Sequence, residues 1–272
     1  MANKRIGNLF HESFTLSRPG IAAAIRQANG PNGLKGLVER LQEEEKLGKN
    51  WAKAVPAYAR GCGLLEFGST ELTPLGMYVR EHDPSLSLLA TQWLMHYHLS
   101  APHGPGPRFW HDLVRNVPEW TQPFDKAEVV AQIEESARQE SGADLKERSV
   151  ETTATVFLGS YTKADGLAAL EIFSEDGGYT VQSPDAPPVG VLSYALSHYW
   201  EGQLDKQTCN MDELGAPGGF GSLFFMGSFE VNRCLRQMAR QGLLELWMAA
   251  PPYQVTRPPI SALLLEGIYD SE

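Results

Sequence analysis

Two groups of residues have the types and spacing for recognising a polyanion: Lys49, Asn50, Lys53 and Arg60 early in the chain, and Arg233, Arg236 and Arg240 late in it. Lysine offers a mobile point charge to a phosphate, and arginine offers a planar fork of donors. An asparagine amide matches the edge of adenine in a major groove, as a lysine matches guanine. The three arginines are spaced three and four apart, so on a helix they share one face. The competing reading is a solvated polar face that touches nothing. It applies with more force to the arginines, because that spacing is ordinary on exposed helices.

Other candidates are weaker. His11 and Glu12 could assist acid–base work or hold a metal, but such a pair more often locks a loop through hydrogen bonds. His96 and His98 lie two apart, so on a helix they point to different faces. With His103 and His111 they make a poor metal cluster, and bulky neighbours favour core packing for His96. Hydrolysis of a phosphodiester would need a water activated near the scissile phosphate, normally by carboxylates holding Mg²⁺. Glu43-Glu44-Glu45 reads as a solvated helix end, and Asp176 and Asp185 sit in loop sequence. No Gly-rich phosphate loop and no nucleophile elbow is present. The catalytic residues therefore stay unknown at this level, and no metal ligand is assigned.

The elements that must position these residues fall into three sections. In the first, 1–83, Leu34, Leu37, Val38 and Leu41 give Gly33–Glu45 the period of an amphipathic helix. Gly48 breaks it, and Asn50 is expected to N-cap a second helix, Trp51–Arg60. Pro56 should kink or shorten that helix. Leu64, Leu65 and Phe67 then read as a short strand, with Glu71–Thr73 pairing back. Helix, tight turn, helix and hairpin make a winged helix-turn-helix, which places Lys49, Asn50 and Lys53 at the start of its recognition helix. Thr73-Pro74 opens a further helix.

The second section, 84–190, is expected to form a central helical domain. It opens on a strongly apolar helix around Leu86–Leu99, followed by helices at Arg108–Asn116 and Lys126–Glu140. Thr152–Tyr161 fits either helix or strand. From Asp176 to Gly190, successive turn-prone and proline-containing dipeptides argue for a loop. In the third section, 191–272, Ser228 is expected to cap a helix Phe229–Gln241 that carries the arginines. Leu243–Met248, Pro251-Pro252 and Tyr253–Thr256 follow as a hairpin. This repeats the first section in kind and is compatible with a second winged helix without requiring one. The fold class is thus mainly α with small β hairpins.

Composition is that of a packed globular protein, with 42% apolar and 21% charged residues. The net charge of −10 speaks against nucleic acid until its distribution is considered. Residues 1–60 hold ten Lys and Arg against five acids, a net +5, which leaves −15 on the remainder. A basic head on an acidic body suggests polyanion contact at one end and protein partners elsewhere. Cys62, Cys209 and Cys234, odd in number and widely spaced, suggest neither disulfides nor zinc, and fit a reduced, cytoplasmic compartment. The opening residues lack the apolar run of a signal peptide, and no run is long enough to cross a membrane.

Five short segments add a resemblance. They are Phe10-His11-Glu12-Ser13-Phe14, Leu47-Gly48-Lys49-Asn50-Trp51, Leu72-Thr73-Pro74-Leu75-Gly76, His82-Asp83-Pro84 and Thr91-Gln92-Trp93-Leu94-Met95-His96-Tyr97. In this order they resemble the bacterial uncharacterised-domain family to which SspB belongs, over most of residues 9–115. The chain departs from that pattern at Ser17-Arg18-Pro19-Gly20, where the family has Arg-x-Gly-Trp. The resemblance implies a component of DNA phosphorothioation and phage defence that acts on double-stranded DNA. Its partners would be a cysteine desulfurase, an ATPase and an ATP-pyrophosphatase-like enzyme. Nicking of DNA, with Mg²⁺, would be its activity. A non-catalytic winged-helix adaptor and a plain transcriptional regulator are the alternatives.

Overall fold

Pro19 suits the first turn of a helix, where its fixed φ is already helical and its missing N–H would go unpaired anyway. The computed structural model, which describes residues 4–142 and 145–269, starts its first helix, α1 (Arg18–Arg26), there. Arg18 ties that start to distant backbone. Its Nε donates to Gly166 O at 2.8 Å, Nη1 to Leu86 O at 3.2 Å and Nη2 to Ala164 O at 2.7 Å.

Helices α1 and α2 (Gly33–Glu43) both pack on α3 (Lys49–Gly61). The expected cap at Asn50 is not formed. The Leu47 N–H closes the end of α2 onto Leu41 O at 3.0 Å, and the chain is already extended at Gly48, so α3 starts at Lys49 without a side-chain cap. Nor does Pro56 end the helix, which runs on to Gly61 with Val55, Pro56, Tyr58 and Ala59 all buried. Packing on this scale outweighs the hydrogen bond a proline forfeits. A bridge between Leu65 and Leu72 makes the hairpin that follows. Helix α4 (Pro74–His82) opens as read, with Thr73 Oγ1 accepting from Gly76 N at 2.9 Å.

Helix α5 (Leu89–Ser100) is buried at every residue from Ala90 to Ser100 and forms the centre of the molecule. Around it stand α6 (Arg108–Asn116), α7 (Lys126–Ser141), which opens on a capping box of Asp125 and Glu128, and α8 (Glu147–Thr162). The segment 152–161 is therefore helical. The loop expected over 176–190 is corrected in part. Gly177, at φ +64°, turns a hairpin between β1 (Phe173–Glu175) and β2 (Tyr179–Val181), so the first turn signals mark a tight turn between strands. The last residues of the same stretch already belong to α9 (Val189–Gln203), a helix apolar on most sides that packs against α5.

After α9 come β3 (Thr208–Asn210), α10 (Met211–Gly215), α11 (Ser228–Arg240), β4 (Leu246–Trp247) and β5 (Gln254–Thr256). The three strands form one antiparallel sheet in the order β3-β5-β4. Gly227, not Ser228, takes the cap position of α11, because the Ser228 hydroxyl donates to Gly215 O at 2.8 Å and ties α11 to α10. The protein is thus mainly helical with two small antiparallel sheets. Buried side chains from all three sections, from Leu16 to Ile268, join in one core cluster. Among the described residues no helix is long and apolar enough to cross a membrane.

Candidate nucleic-acid interface

Helix α11 buries Val231, Cys234, Leu235 and Met238 against the rest of the C-terminal unit. The other face must therefore meet solvent, and it carries Phe229, Arg233, Arg236 and Arg240, all exposed. Arg233 and Arg240 make no hydrogen bond or ion pair among the described residues. Arg236 is held, among the described residues, only by the Met248 sulfur, 3.3 Å from its Nη1. Arg236, Arg240, Leu244, Trp247 and Met248 line a groove of about 610 Å³ between α11 and the β4–β5 hairpin. Arg233 borders a second groove, of about 390 Å³, shared with α5 and the segment 185–189. Glu230 in the first turn of α11, Glu245 on the wall of the first groove and Asp185 on that of the second are acids beside this face.

Trp247 is the residue that sequence reasoning missed. It stands on the edge strand β4, 61% exposed, beside the arginines. A large aromatic left in water at a sheet edge contributes nothing to the core, and its legible signal was position: one strand after a basic helix face.

The early group divides in two. Lys49, Asn50 and Lys53 are exposed on the first turn of α3, beyond which the helix is largely buried. Arg60 is elsewhere, eleven residues and about 16 Å along the helix. Its Nε donates to Glu66 O at 3.2 Å and its Nη2 to Ser69 O at 2.9 Å, so it pins the hairpin. Burial lowers its pKa.

The remaining titratable candidates are structural or scattered. His11 accepts from Ser13 N at 3.0 Å and lies 3.0 Å from Thr153 Oγ1, which locks the opening loop onto α8, while Glu12 stays exposed. His96 is in the core, and His98 lines a separate cavity with His103 and His198. Glu44 and Glu45 both accept from Gln27, and Glu45 pairs with Arg26 at 2.6 Å. These bonds, that of Gln27 first, hold the Glu45 carboxyl below its ordinary pKa. All three cysteines are free and buried. Among the described residues no three His, Cys, Asp or Glu side chains converge as a metal site.

The fold has solved counterparts. The chain superposes on the "Magnesium ion-bound SspB crystal structure" with a TM-score of 0.79 at 17% identity, covering 96% of this chain and 86% of that one. A second SspB crystal structure matches with a TM-score of 0.77 at 18% identity and the same coverage. No curated protein matches the sequence. The family model DUF4007, a protein family of unknown function, matches residues 10–257, and the chain belongs to that family.

Proposed function

We propose that this protein engages duplex DNA through a C-terminal winged helix, as the DNA-contacting component of a phosphorothioation and phage-defence system. The observation that carries the reading is the exposed face of Arg233, Arg236 and Arg240 on α11, flanked by Trp247 on the adjoining hairpin. The order α9, β3, α10, α11, β4, β5 with a β3-β5-β4 sheet supports taking α11 as a recognition helix and β4–β5 as its wing. Arginine forks bind phosphates and guanine edges, and an exposed aromatic beside them offers a stacking or groove-wall contact. The likeness of fold to SspB and the sequence resemblance supply the system. Other components of such a system, including an ATPase, an ATP-pyrophosphatase-like enzyme and a cysteine desulfurase, are the proposed protein partners of the acidic body.

Lys49, Asn50 and Lys53 form a second, smaller contact on the N-terminal helix-turn-helix. Only the first turn of α3 is available there, because α1 and α2 pack along the helix. Magnesium is bound by the SspB of the solved structure. In the present chain the acids of the described residues do not gather into a three-ligand site, so no hydrolytic step through that ion is derived. Nicking by this subunit, as against an adaptor's role, is decided by incubating supercoiled plasmid with the protein and Mg²⁺. Binding is tested on a short duplex with wild type, Arg233→Ala/Arg236→Ala/Arg240→Ala, and Lys49→Ala/Lys53→Ala. The first variant is expected to lose most affinity and the second a smaller part. Equal binding by all three proteins would refute the interface.

A further inference from the structure

A cavity of about 530 Å³ lies where the N-terminal hairpin, the start of α4, the end of α5, the middle of α9 and the segment around Ser261 meet. Its volume is within the range of about 300–1,000 Å³ that small-ligand pockets occupy. Residues from all three sections of the chain build it, none of them from the α11 face.

One side of the cavity is electropositive. Lys4 makes no hydrogen bond among the described residues, and Arg60 spends Nε and Nη2 on the hairpin carbonyls but leaves Nη1 uncommitted. The N-terminus of the nine-residue α4 opens onto the same space through Thr73, Pro74 and Leu75, bringing the positive end of its dipole. Glu66 on the rim and Glu201 behind His198 are the opposing acids, and Glu201 is engaged by Ser261 N at 2.7 Å.

Polar groups inside are set for hydrogen bonding. His198 commits Nδ1 to the Tyr97 hydroxyl at 3.0 Å, which leaves Nε2 without a partner among the described residues. His98 is 4% exposed, holds the Tyr194 hydroxyl at 3.2 Å through Nε2, and has no partner for Nδ1. Gly63, at φ +74°, keeps this edge uncrowded, since a Cβ there would stand 2.8 Å from His98 Nδ1. Burial lowers the pKa of both imidazoles. Part of the wall is apolar, formed by Leu65, Phe67 and Leu265.

We infer that this cavity binds a mononucleotide, its phosphate at Lys4, Arg60 and the α4 N-terminus, its base between the apolar wall and the histidines. The ligand is either a free nucleoside monophosphate or the 5′-phosphorylated end of a DNA strand.

Titration calorimetry on the full chain tests this with dAMP, deoxyadenosine and inorganic phosphate, then with a short single strand with and without its 5′-phosphate. Binding of dAMP about tenfold tighter than deoxyadenosine is expected from one charge-assisted contact set. Ala262→Trp, placed on the exposed rim to fill the cavity, should abolish it, and Lys4→Ala and His198→Gln should each weaken it. A preference for the phosphorylated strand over dAMP identifies the strand end as the ligand, and the reverse identifies the free nucleotide. No heat with dAMP at millimolar concentration, phosphate binding as tightly as dAMP, or binding unchanged in all three variants would overturn the assignment. Duplex binding through α11 is measured separately on the same variants and should be unchanged, so the two readings fail independently.

Discussion

Tyr161 donates its hydroxyl to His96 Nδ1 across 2.7 Å, and the direction follows from the groups at the two ends of the chain. The Trp110 indole, 2.8 Å from the same oxygen, can only donate. The tyrosine oxygen therefore accepts from Trp110 and its O–H turns to His96. The Leu223 carbonyl, 2.7 Å from Nε2, can only accept, so Nε2 carries the ring proton and Nδ1 of the neutral imidazole is the acceptor. One proton-ordered chain thus links α6, α8, α5 and the turn Phe220–Phe224, all at fully buried residues.

Tyr161→Phe keeps the ring and removes the hydroxyl that links the two. The Trp110 N–H and His96 Nδ1 would both be left buried without a partner, which costs about 1–3 kcal/mol per group. The expected result is an unfolding free energy lowered by that order, read as a lower urea midpoint with an unchanged m-value. A midpoint equal to wild type would mean that the hydroxyl is not the link.

Acid should unfold the protein from the same histidines. Burial lowers His96 to about 4, and lowers His11 to about 4 as well, from an ordinary 6.5. The unfolded chain therefore binds more protons than the folded one between these values, so stability is complete above pH 6.5 and falls as pH drops toward 4. For His96 the full loss is on the order of 3 kcal/mol. Denaturant titrations at pH 7.5, 6 and 5 should show the fall, and a level stability across them would contradict neutral, internally bonded imidazoles.

Gly76, in Leu72-Thr73-Pro74-Leu75-Gly76, is required by contact between backbones. A Cβ there would lie 2.0 Å from Leu64 O, which already accepts from Thr73 N at 3.1 Å. Gly76→Ala should cost at least about 2 kcal/mol, since neither the hairpin nor α4 can give way without the other. Gly48→Ala is the control, because a Cβ there meets nothing within 4 Å. It should change the thermal midpoint little, or raise it through the unfolded chain.

Legibility followed periodicity and punctuation. Thr73-Pro74 marked α4, and the helical spacing of Leu37, Val38 and Leu41 marked α2, because a buried stripe leaves a regular trace, although Leu34, read with them, is exposed. Helix α9 left no such trace, since burial on most sides removes the polar stripe. Pro56 misled because propensity is weaker than the packing of Val55, Tyr58 and Ala59. The arginine face of α11 was legible as spacing. Its neighbour Trp247 was not, since only the pairing of β4 with β5 brings that ring beside Arg236 and Arg240. Arg60 read as a helix-face cation, and nothing local showed that its guanidinium turns back to Glu66 and Ser69.

The α11 interface makes a prediction in which charge and stacking separate. Each arginine that neutralises a phosphate releases condensed counterion, so log affinity falls with log salt by about 0.9 per contact on duplex DNA. Removing Arg233, Arg236 and Arg240 together should flatten that slope by about 2–3 if all three meet phosphates, and by less if one reads a base edge. Trp247 carries no charge. Trp247→Ala should lower affinity at every salt concentration and leave the slope where it was, because what it removes is an apolar or stacking contact. A salt series on one duplex with the three proteins decides the matter. A changed slope in the tryptophan variant would mean that the wing moves the arginines rather than touching DNA itself. An unchanged slope in the triple variant would remove α11 from the interface and leave the first turn of α3 to carry the binding.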